Sequence, residues 1–287
     1  MTQRVDATLR AAIARLDAAR VDAPAATARR LLSVAAGQPR EWLVAHGEHV
    51  LDAATLVAFD GLLARAIAHE PLAYILGERA FRNFTLKIDP RALIPRPETE
   101  LLVDLALAAL ADEPTGAPVI DVGTGSGAAA IALALEAPRA NVIACDISHD
   151  ALALAAENAA RLNAPIRFVH SDLLSSVDDL APVIVANLPY VTREEIEGLP
   201  PEIQAHEPRV ALDGGLDGLD LVRRLLDQLR APARRAALRA LFLEVGASQG
   251  PATQALAARA FPEATATIHK DLAGLDRVIG VRFNRPE

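Results

Sequence analysis

From Pro118 onward, short apolar runs alternate with helix-length segments, and this alternation constrains the chain more than any other feature. The runs are VIDVG (119–123), NVIACDI (141–147), IRFVHS (166–171), VIVAN (183–187), ALFLEVG (240–246), ATIHK (266–270) and RVIGVRF (277–283). Helices fit between most of them, as at 128–136 and 150–162. Strands that are apolar along their whole length are buried on both faces. The pattern therefore implies an α/β fold with a mostly parallel, Rossmann-like sheet covered by helices. In such sheets ligands bind beyond the carboxyl ends of the strands, near the point where strand order reverses. Chemistry is therefore to be sought where each apolar run stops.

The first quarter of the chain has a different texture. Residues 1 to about 75 read as helices only, with Val5, Leu9, Ile13 and Leu16 forming one apolar stripe. Asp22 reads as a cap residue ahead of Pro24 and the run ATARRLLSVAAG, which closes on Gly37. A further helix over 51–68 places Leu56, Phe59, Leu63 and Ile67 on one side. FRNFTLKIDP (81–90) then alternates apolar and polar positions, as a strand or hairpin does. Pro95 and Pro97 exclude a helix across ALIPRP, and a helix is expected from Thr99.

Charge and cysteine content narrow the function classes. The net charge of −8 argues against a protein that holds nucleic acid mainly by its phosphates. The arginines at 223, 224, 230, 234, 235 and 239 are the one basic region, and they read as a solvated helix face. The single cysteine, Cys145, cannot form an intrachain disulfide and reads as a small buried residue at a strand end. No run approaches the roughly 20 apolar residues of a membrane span, and the opening MTQRVDATLR carries no apolar signal segment. A cytoplasmic protein is expected. His170 and His206 do not form a metal-ligand spacing, so no metal is expected.

The first strand ends in DVGTGSG, from Asp121 to Gly127. Gly123, Gly125 and Gly127 let the backbone turn tightly and approach a ligand, with Thr124 and Ser126 between them. The spacing is G-x-G-x-G, not the G-x-G-x-x-G of dinucleotide binders. Asp121 disfavours a phosphate and suits a cation, such as the sulfonium or ammonium of S-adenosylmethionine. Asp146 ends the second strand, where a carboxylate can accept ribose hydroxyls. Ser171 and Asp172 end the third, at the expected adenine edge, with Leu173 beside them.

The fourth strand ends in VIVANLPYV. Pro189 fixes its own φ and pushes Leu188 towards an extended backbone. The Asn187 side-chain oxygen and the Leu188 carbonyl can then grip one planar NH₂ group, while Tyr190 packs on the face of the group that carries it. An amide or aromatic amine nitrogen is a poor nucleophile because its lone pair is delocalised. Holding both N–H bonds orients that nitrogen and favours its charge-developing transition state. Asn187, Pro189 and Tyr190 are therefore the expected catalytic residues, with Asn187 orienting rather than abstracting a proton.

These residues carry a resemblance. The chain resembles the release factor glutamine methyltransferases, the PrmC/HemK family, within the seven-stranded methyltransferases that use S-adenosylmethionine. PLAYILGERAF (71–81), LIPRPETELLVD (93–104), DVGTGSG (121–127), NLPY (187–190), EPRVALDGGLDGLD (207–220) and KDLAGLDRVI (270–279) carry it over nearly the whole length. The resemblance implies a seven-stranded sheet whose last strand is antiparallel, behind a small helical domain. It implies N5-methylation of the glutamine side chain in the Gly-Gly-Gln motif of class 1 peptide chain release factors. Gly123–Gly127 would take the methionine end of the cofactor and Asp146 its ribose, with Asp172 and Leu173 bordering the adenine. Asn187, Leu188, Pro189 and Tyr190 would form the glutamine site, with Asn187 also touching the cofactor, and Arg96, Pro97 and Glu98 would shape it. The expected domains are a helical substrate-recognition domain (1–76), a β-hairpin linker (77–96) and the methyltransferase domain (97–287), acting as a monomer with no membrane or direct nucleic-acid partner.

Two positions depart from the family pattern. Leu188 stands where N-P-P-Y is usual, and N-L-P-Y also occurs in rRNA adenine dimethyltransferases. Leu173 stands where many relatives carry an aromatic. The alternative is therefore an N6-adenine methyltransferase acting on RNA or DNA. A flipped base favours aromatic stacking and a basic groove, whereas this chain offers Trp42, Tyr74 and Tyr190 and a net charge of −8. A third reading, a binding module that kept the fold without catalysis, conflicts with an intact NLPY beside an intact glycine loop.

Overall fold

The computed structural model describes residues 3–283. The outer ends of the expected domains, 1–2 and 284–287, lie outside the described residues. Two compact units divide the chain. One runs to Glu78 and also takes in Pro200–His206; the other holds Arg79–Leu199 and resumes at Glu207.

The first unit is built from α1 (Val5–Ala18), α2 (Pro24–Ala36), α3 (Arg40–Ala45), α4 (Ala53–Ile67) and α5 (Leu72–Leu76). Leu16, Leu31, Leu32, Phe59 and Leu63 meet in its core, and Leu9, Ile13, Leu56 and Ile67 pack around them. It is not helical throughout. β1 (Gln3–Arg4) pairs antiparallel with β2 (Val50–Leu51). A two-residue strand has no period to detect, so helical patterning could not reveal it. Asp22 does not cap α2: the cap position is Ala23, at φ 48° with no side-chain bond. Pro24 opens the helix and Gly37 closes it in the left-handed region. Asp52 does act as a cap, accepting the Thr55 N–H at 2.7 Å at the start of α4.

In the remaining chain β3 (Glu78–Phe81) pairs with β4 (Phe84–Lys87) in a two-stranded sheet, before α6 (Thr99–Leu110). Then come β5 (Pro118–Val122), α7 (Ala128–Glu136), β6 (Asn141–Asp146), α8 (His149–Leu162), β7 (Ile166–His170) and β8 (Val183–Ala186). Short helices α9 (Arg193–Glu197) and α10 (Pro201–His206) precede α11 (Asp220–Leu229) and α12 (Pro232–Ala237). β9 (Ala240–Glu244), α13 (Gly250–Ala260), β10 (Ala264–Lys270) and β11 (Asp276–Phe283) complete the described chain.

The sheet has seven strands in the order β10-β11-β9-β8-β5-β6-β7. β5 pairs in parallel with both β6 and β8, and β11 runs antiparallel to β9 and β10. Strand order reverses between β5 and β8, which opens a crevice at their carboxyl ends. β5 and β8 are buried because both faces are covered: Val119, Ile120, Val183 and Val185 are all at 0–2% exposure. One face packs on Val222, Leu225 and Leu226 of α11 and Phe261 after α13. Asn158 of α8, itself buried, accepts from the Lys87 N–H at 2.7 Å and donates to the Lys87 and Ser126 carbonyls at 3.0 Å. One amide thus ties the hairpin to the glycine loop.

The arginines expected on one solvated helix face are spread over two helices and a strand entry, mostly with partners. Arg223 pairs with Asp217, Arg224 with Asp172 and Arg235 with Glu263. Arg234 donates to the Leu174 and Val177 carbonyls. The segment breaks at Ala231–Pro232, so helical spacing does not carry through it.

Candidate functional site

A cavity of about 730 Å³ opens at the carboxyl ends of β5, β6, β7 and β8. Its lining includes Asp121, Gly123, Thr124, Gly125, Ser126, Asp146, Asp172, Leu173, Asn187, Leu188, Pro189 and Arg96. Every expected site residue except Pro97, Glu98, Gly127 and Tyr190 therefore borders one space.

The loop after β5 is shaped from inside the fold. The Gly123 and Thr124 N–H groups donate to the Cys145 carbonyl at 2.9 and 3.0 Å. Gly127 starts α7 at φ +86°, and a Cβ there would lie 3.1 Å from Ala155 Cβ on α8. Both the left-handed backbone and the close helix approach require glycine. Asp121 is buried and accepts from the Thr124 hydroxyl at 2.7 Å. Burial pushes its carboxyl up to about 6, and the nearby Asp146 charge adds to the rise. Asp146 accepts the Gly125 and Ser148 N–H groups at 2.9 Å, yet burial still leaves its pKa raised.

No basic side chain pairs with Asp121 or Asp146 among the described residues, whereas most of the arginines lining the cavity have acids of their own. Arg91 pairs with Asp89 and Glu157, and Arg96 with Glu207 at 2.5 Å. Arg224 holds Asp172 at 2.6 Å, so one carboxylate oxygen of the expected adenine-edge acid is already engaged. The inner wall is thus negatively biased and suits a cationic ligand rather than a phosphate. Leu173, at φ +52°, is buried and its carbonyl accepts from the Cys145 thiol at 3.3 Å. Burial pushes that thiol up to about 12, which leaves it an inert core group.

Asn187 follows β8 directly, and its Nδ2 donates to the buried Thr99 hydroxyl at 3.2 Å. The Asn187 side-chain oxygen is then the acceptor left for a ligand. Tyr190 lies behind Pro189. Its carbonyl accepts from Gln249 Nε2 at 2.8 Å, and burial raises its phenol above the ordinary value. The glycines of GGLDG explain its placement: a Cβ on Gly218 would lie 2.2 Å from the Tyr190 oxygen. Glu98 precedes α6 outside the cavity lining and makes no side-chain cap bond.

Three residues escaped the sequence reading. Glu207, with a side chain 1% exposed, takes both the Arg96 guanidinium and the Ile94 N–H, the latter at 3.2 Å. It anchors the IPRPE segment against the cavity. Thr99 reads in the sequence only as a helix start, yet its hydroxyl holds the Asn187 amide. Glu244 ends β9 as one acid in ALFLEVG, yet it is 2% exposed. An acid in the last place of an apolar strand was the available signal for Glu244. Among the described residues no group of three or more His, Cys, Asp or Glu could hold a metal ion, and no helix is long and apolar enough to cross a membrane.

Comparison with known proteins points one way. A family model described as the PrmC N-terminal domain matches residues 7–77, and one described as the methyltransferase small domain matches 99–200. A release factor glutamine methyltransferase of Cereibacter sphaeroides is 40% identical, covering 96% of this chain and 97% of its own. That of Caulobacter vibrioides is 37% identical, covering 92% and 91%. That of Lactococcus lactis is 40% identical, covering 75% and 78%. Among solved structures, the hMettl16 catalytic domain bound to a MAT2A hairpin shares the fold with a TM-score of 0.56 at 16% identity, covering 83% of this chain and 86% of that one.

Proposed function

The chain belongs to the release factor glutamine methyltransferase family, and from that membership we propose how its cavity performs glutamine N5-methylation with S-adenosylmethionine. The observation that carries the reading is one cavity that joins two acids without basic partners to the Asn187–Pro189 segment at the strand-order reversal. The acids and the glycine loop fit a cationic nucleoside cofactor: Asp121 and Gly123–Gly127 would hold its methionine end, Asp146 its ribose, and Asp172 with Leu173 its adenine. Bound there, the cofactor supplies a methyl group on a sulfonium, whose thioether is a good leaving group.

The chain's own residues prepare the acceptor. The Asn187 oxygen and the Leu188 carbonyl each accept one N–H of the glutamine amide. Pro189 holds the Leu188 backbone extended, and Tyr190 backs the turn. Arg96, fixed by Glu207, shapes the entrance from the IPRPE segment, and Glu98 supports that segment from outside the lining. Transfer of the methyl group to the held nitrogen would leave the C–S electron pair on sulfur, and the nitrogen would then lose its proton to water, so these residues need to orient the amide rather than supply a strong base. Positioning and electrostatics supply the rate.

The helical N-terminal part, over 1–76, recognises a class 1 release factor carrying Gly-Gly-Gln, with the hairpin over 77–96 linking it to the methyltransferase part over 97–287. The enzyme works as a cytoplasmic monomer and does not bind nucleic acid directly, in keeping with its charge of −8. The test offers labelled S-adenosylmethionine with a release factor, the same factor with its Gly-Gly-Gln glutamine changed to alanine, and rRNA. Label on the intact factor alone supports the reading. Label on rRNA would overturn it in favour of an adenine methyltransferase.

A further inference from the structure

The mechanism leaves one buried ionisable group beside the acceptor site unused. Glu244 ends β9, the neighbour of β8, where the β8–β9 register pairs Ala186, the residue before Asn187, with Leu243. Its side chain is 2% exposed, and its Oε2 has no hydrogen-bond partner among the described residues. The charged and titratable groups facing it come from three elements: Arg277 on β11, Glu98 before α6 and Tyr190 after β8. The Thr99 hydroxyl, which accepts from Asn187 Nδ2 at 3.2 Å, and the Asn187 amide both pull its pKa down. A carboxyl is rarely retained in such a place without a task, because an unpaired buried charge is costly.

Asn187 has two ends that differ chemically but scarcely in shape. Only the oxygen can accept an amide N–H; the NH₂ end would oppose it. The orientation is set by what the other end meets. At Asn187 the other end meets the Thr99 hydroxyl at 3.2 Å, and Glu244 follows the Ala186–Leu243 pair on the neighbouring strand just as Asn187 does. We propose that ionised Glu244, acting with Thr99, is a positioning residue that holds the Asn187 NH₂ inward and so presents its oxygen to the glutamine amide. A carboxylate accepts only, so it favours NH₂ facing it. A protonated carboxyl also donates, so it permits the opposite orientation and releases the constraint.

The geometry therefore couples turnover to the protonation of Glu244. Burial pushes this group up to about 7, against the pull of Thr99, Arg277 and Asn187. The active form is the deprotonated one, so kcat rises with pH through that region and then levels. The acceptor amide does not titrate there, and the Tyr190 phenol is raised above its ordinary value. Asp121 and Asp146 stay in place in Glu244→Gln, so only the part of the kcat–pH dependence that this variant removes is assigned to Glu244.

The inference rests on the proposed acceptor role of Asn187, and the experiment separates the two. Kcat and KM for a release factor are measured against pH at saturating S-adenosylmethionine, for the wild type and for Glu244→Gln, Thr99→Val and Asn187→Ala. Glu244→Gln, whose amide can present either end to Asn187, is expected to lose about tenfold in kcat and its pH dependence, with KM and cofactor affinity little changed. Thr99→Val is expected to lower kcat and keep the pH dependence. A wild-type kcat that is flat through pH 7 overturns the inference whether or not the variants fold. Glu244→Gln with a wild-type kcat also overturns it, while an inactive Asn187→Ala beside it leaves the acceptor reading standing. An active Asn187→Ala removes the acceptor reading itself.

Discussion

Asp121 shows at the scale of one residue how a binding site and a stable fold pull apart. A rise from 3.8 to about 6 corresponds to a charging penalty on the order of 3 kcal/mol in the folded state. Because its folded pKa lies above the unfolded value, Asp121 contributes most to stability when protonated, and that contribution is lost as pH rises through about 6. Asp121→Asn keeps an acceptor for the Thr124 hydroxyl and removes the charge. The cofactor-free variant is expected to melt at a higher temperature than wild type above pH 6, with the gain shrinking below it. S-adenosylmethionine, whose cation the charge favours, is expected to bind more weakly by calorimetry. A variant with unchanged affinity would separate Asp121 from the cofactor. Its neighbour Asp146 was equally legible in the sequence, since an acid that stops an apolar run announces itself. Glu244 stops a run in the same way. Its neighbours Thr99 and Asn187 are distant in sequence, and only the β8–β9 pairing and the packing of α6 on those strands bring them together.

At the scale of elements, the site depends on loops fitted to one another more than on the strands that carry them. The segment after β8 is held by the GGLDG loop. The Val191 N–H donates to the Leu212 carbonyl at 3.0 Å, and the Val191 carbonyl accepts from the Gly214 N–H at 2.9 Å. Gly218 sits at φ +74°, with space for a Cβ already taken by the Tyr190 carbonyl and Gln249 Nε2, each at 2.2 Å. Gly218→Ala must push that turn away. The expected cost is about 1–3 kcal/mol of stability by thermal melting. A fall in kcat larger than any change in cofactor affinity should accompany it, since the glycine loop after β5 lies elsewhere. The strands themselves were readable to within a few residues because burial on both faces leaves an uninterrupted apolar run. β1 and β2 were not, because two residues carry no period. The start of α2 was misread at Asp22 because a cap depends on backbone angles: Ala23 takes the left-handed region and leaves the aspartate without a bond to make.

At the scale of the whole molecule, the chain leaves the sheet unit at Leu199, gives Pro200–His206 to the helical unit and returns at Glu207. Within the helical unit Glu202 meets His69 Nδ1 at 3.2 Å. No local pattern announces such a detour, since α10 is short and none of its residues is buried. Glu207 then fixes Arg96 and Ile94 as soon as the chain returns. Under the proposed division of labour, a chain starting at Arg79 is expected to keep its affinity for S-adenosylmethionine and lose most methylation of a release factor. Full methylation by that chain would remove substrate recognition from the helical part.

The central claim is that the end of β8 holds the acceptor amide while the ends of β5 and β6 hold the cofactor. The most direct measurement takes Asn187→Ala and records two quantities on one preparation: S-adenosylmethionine affinity by calorimetry, and methyl transfer to a release factor with the modified residue located by fragmentation mass spectrometry. The account predicts affinity close to wild type and transfer reduced by about a hundredfold or more, as when an orienting group at a reacting centre is removed. Transfer to the Gly-Gly-Gln glutamine at the wild-type rate would contradict it.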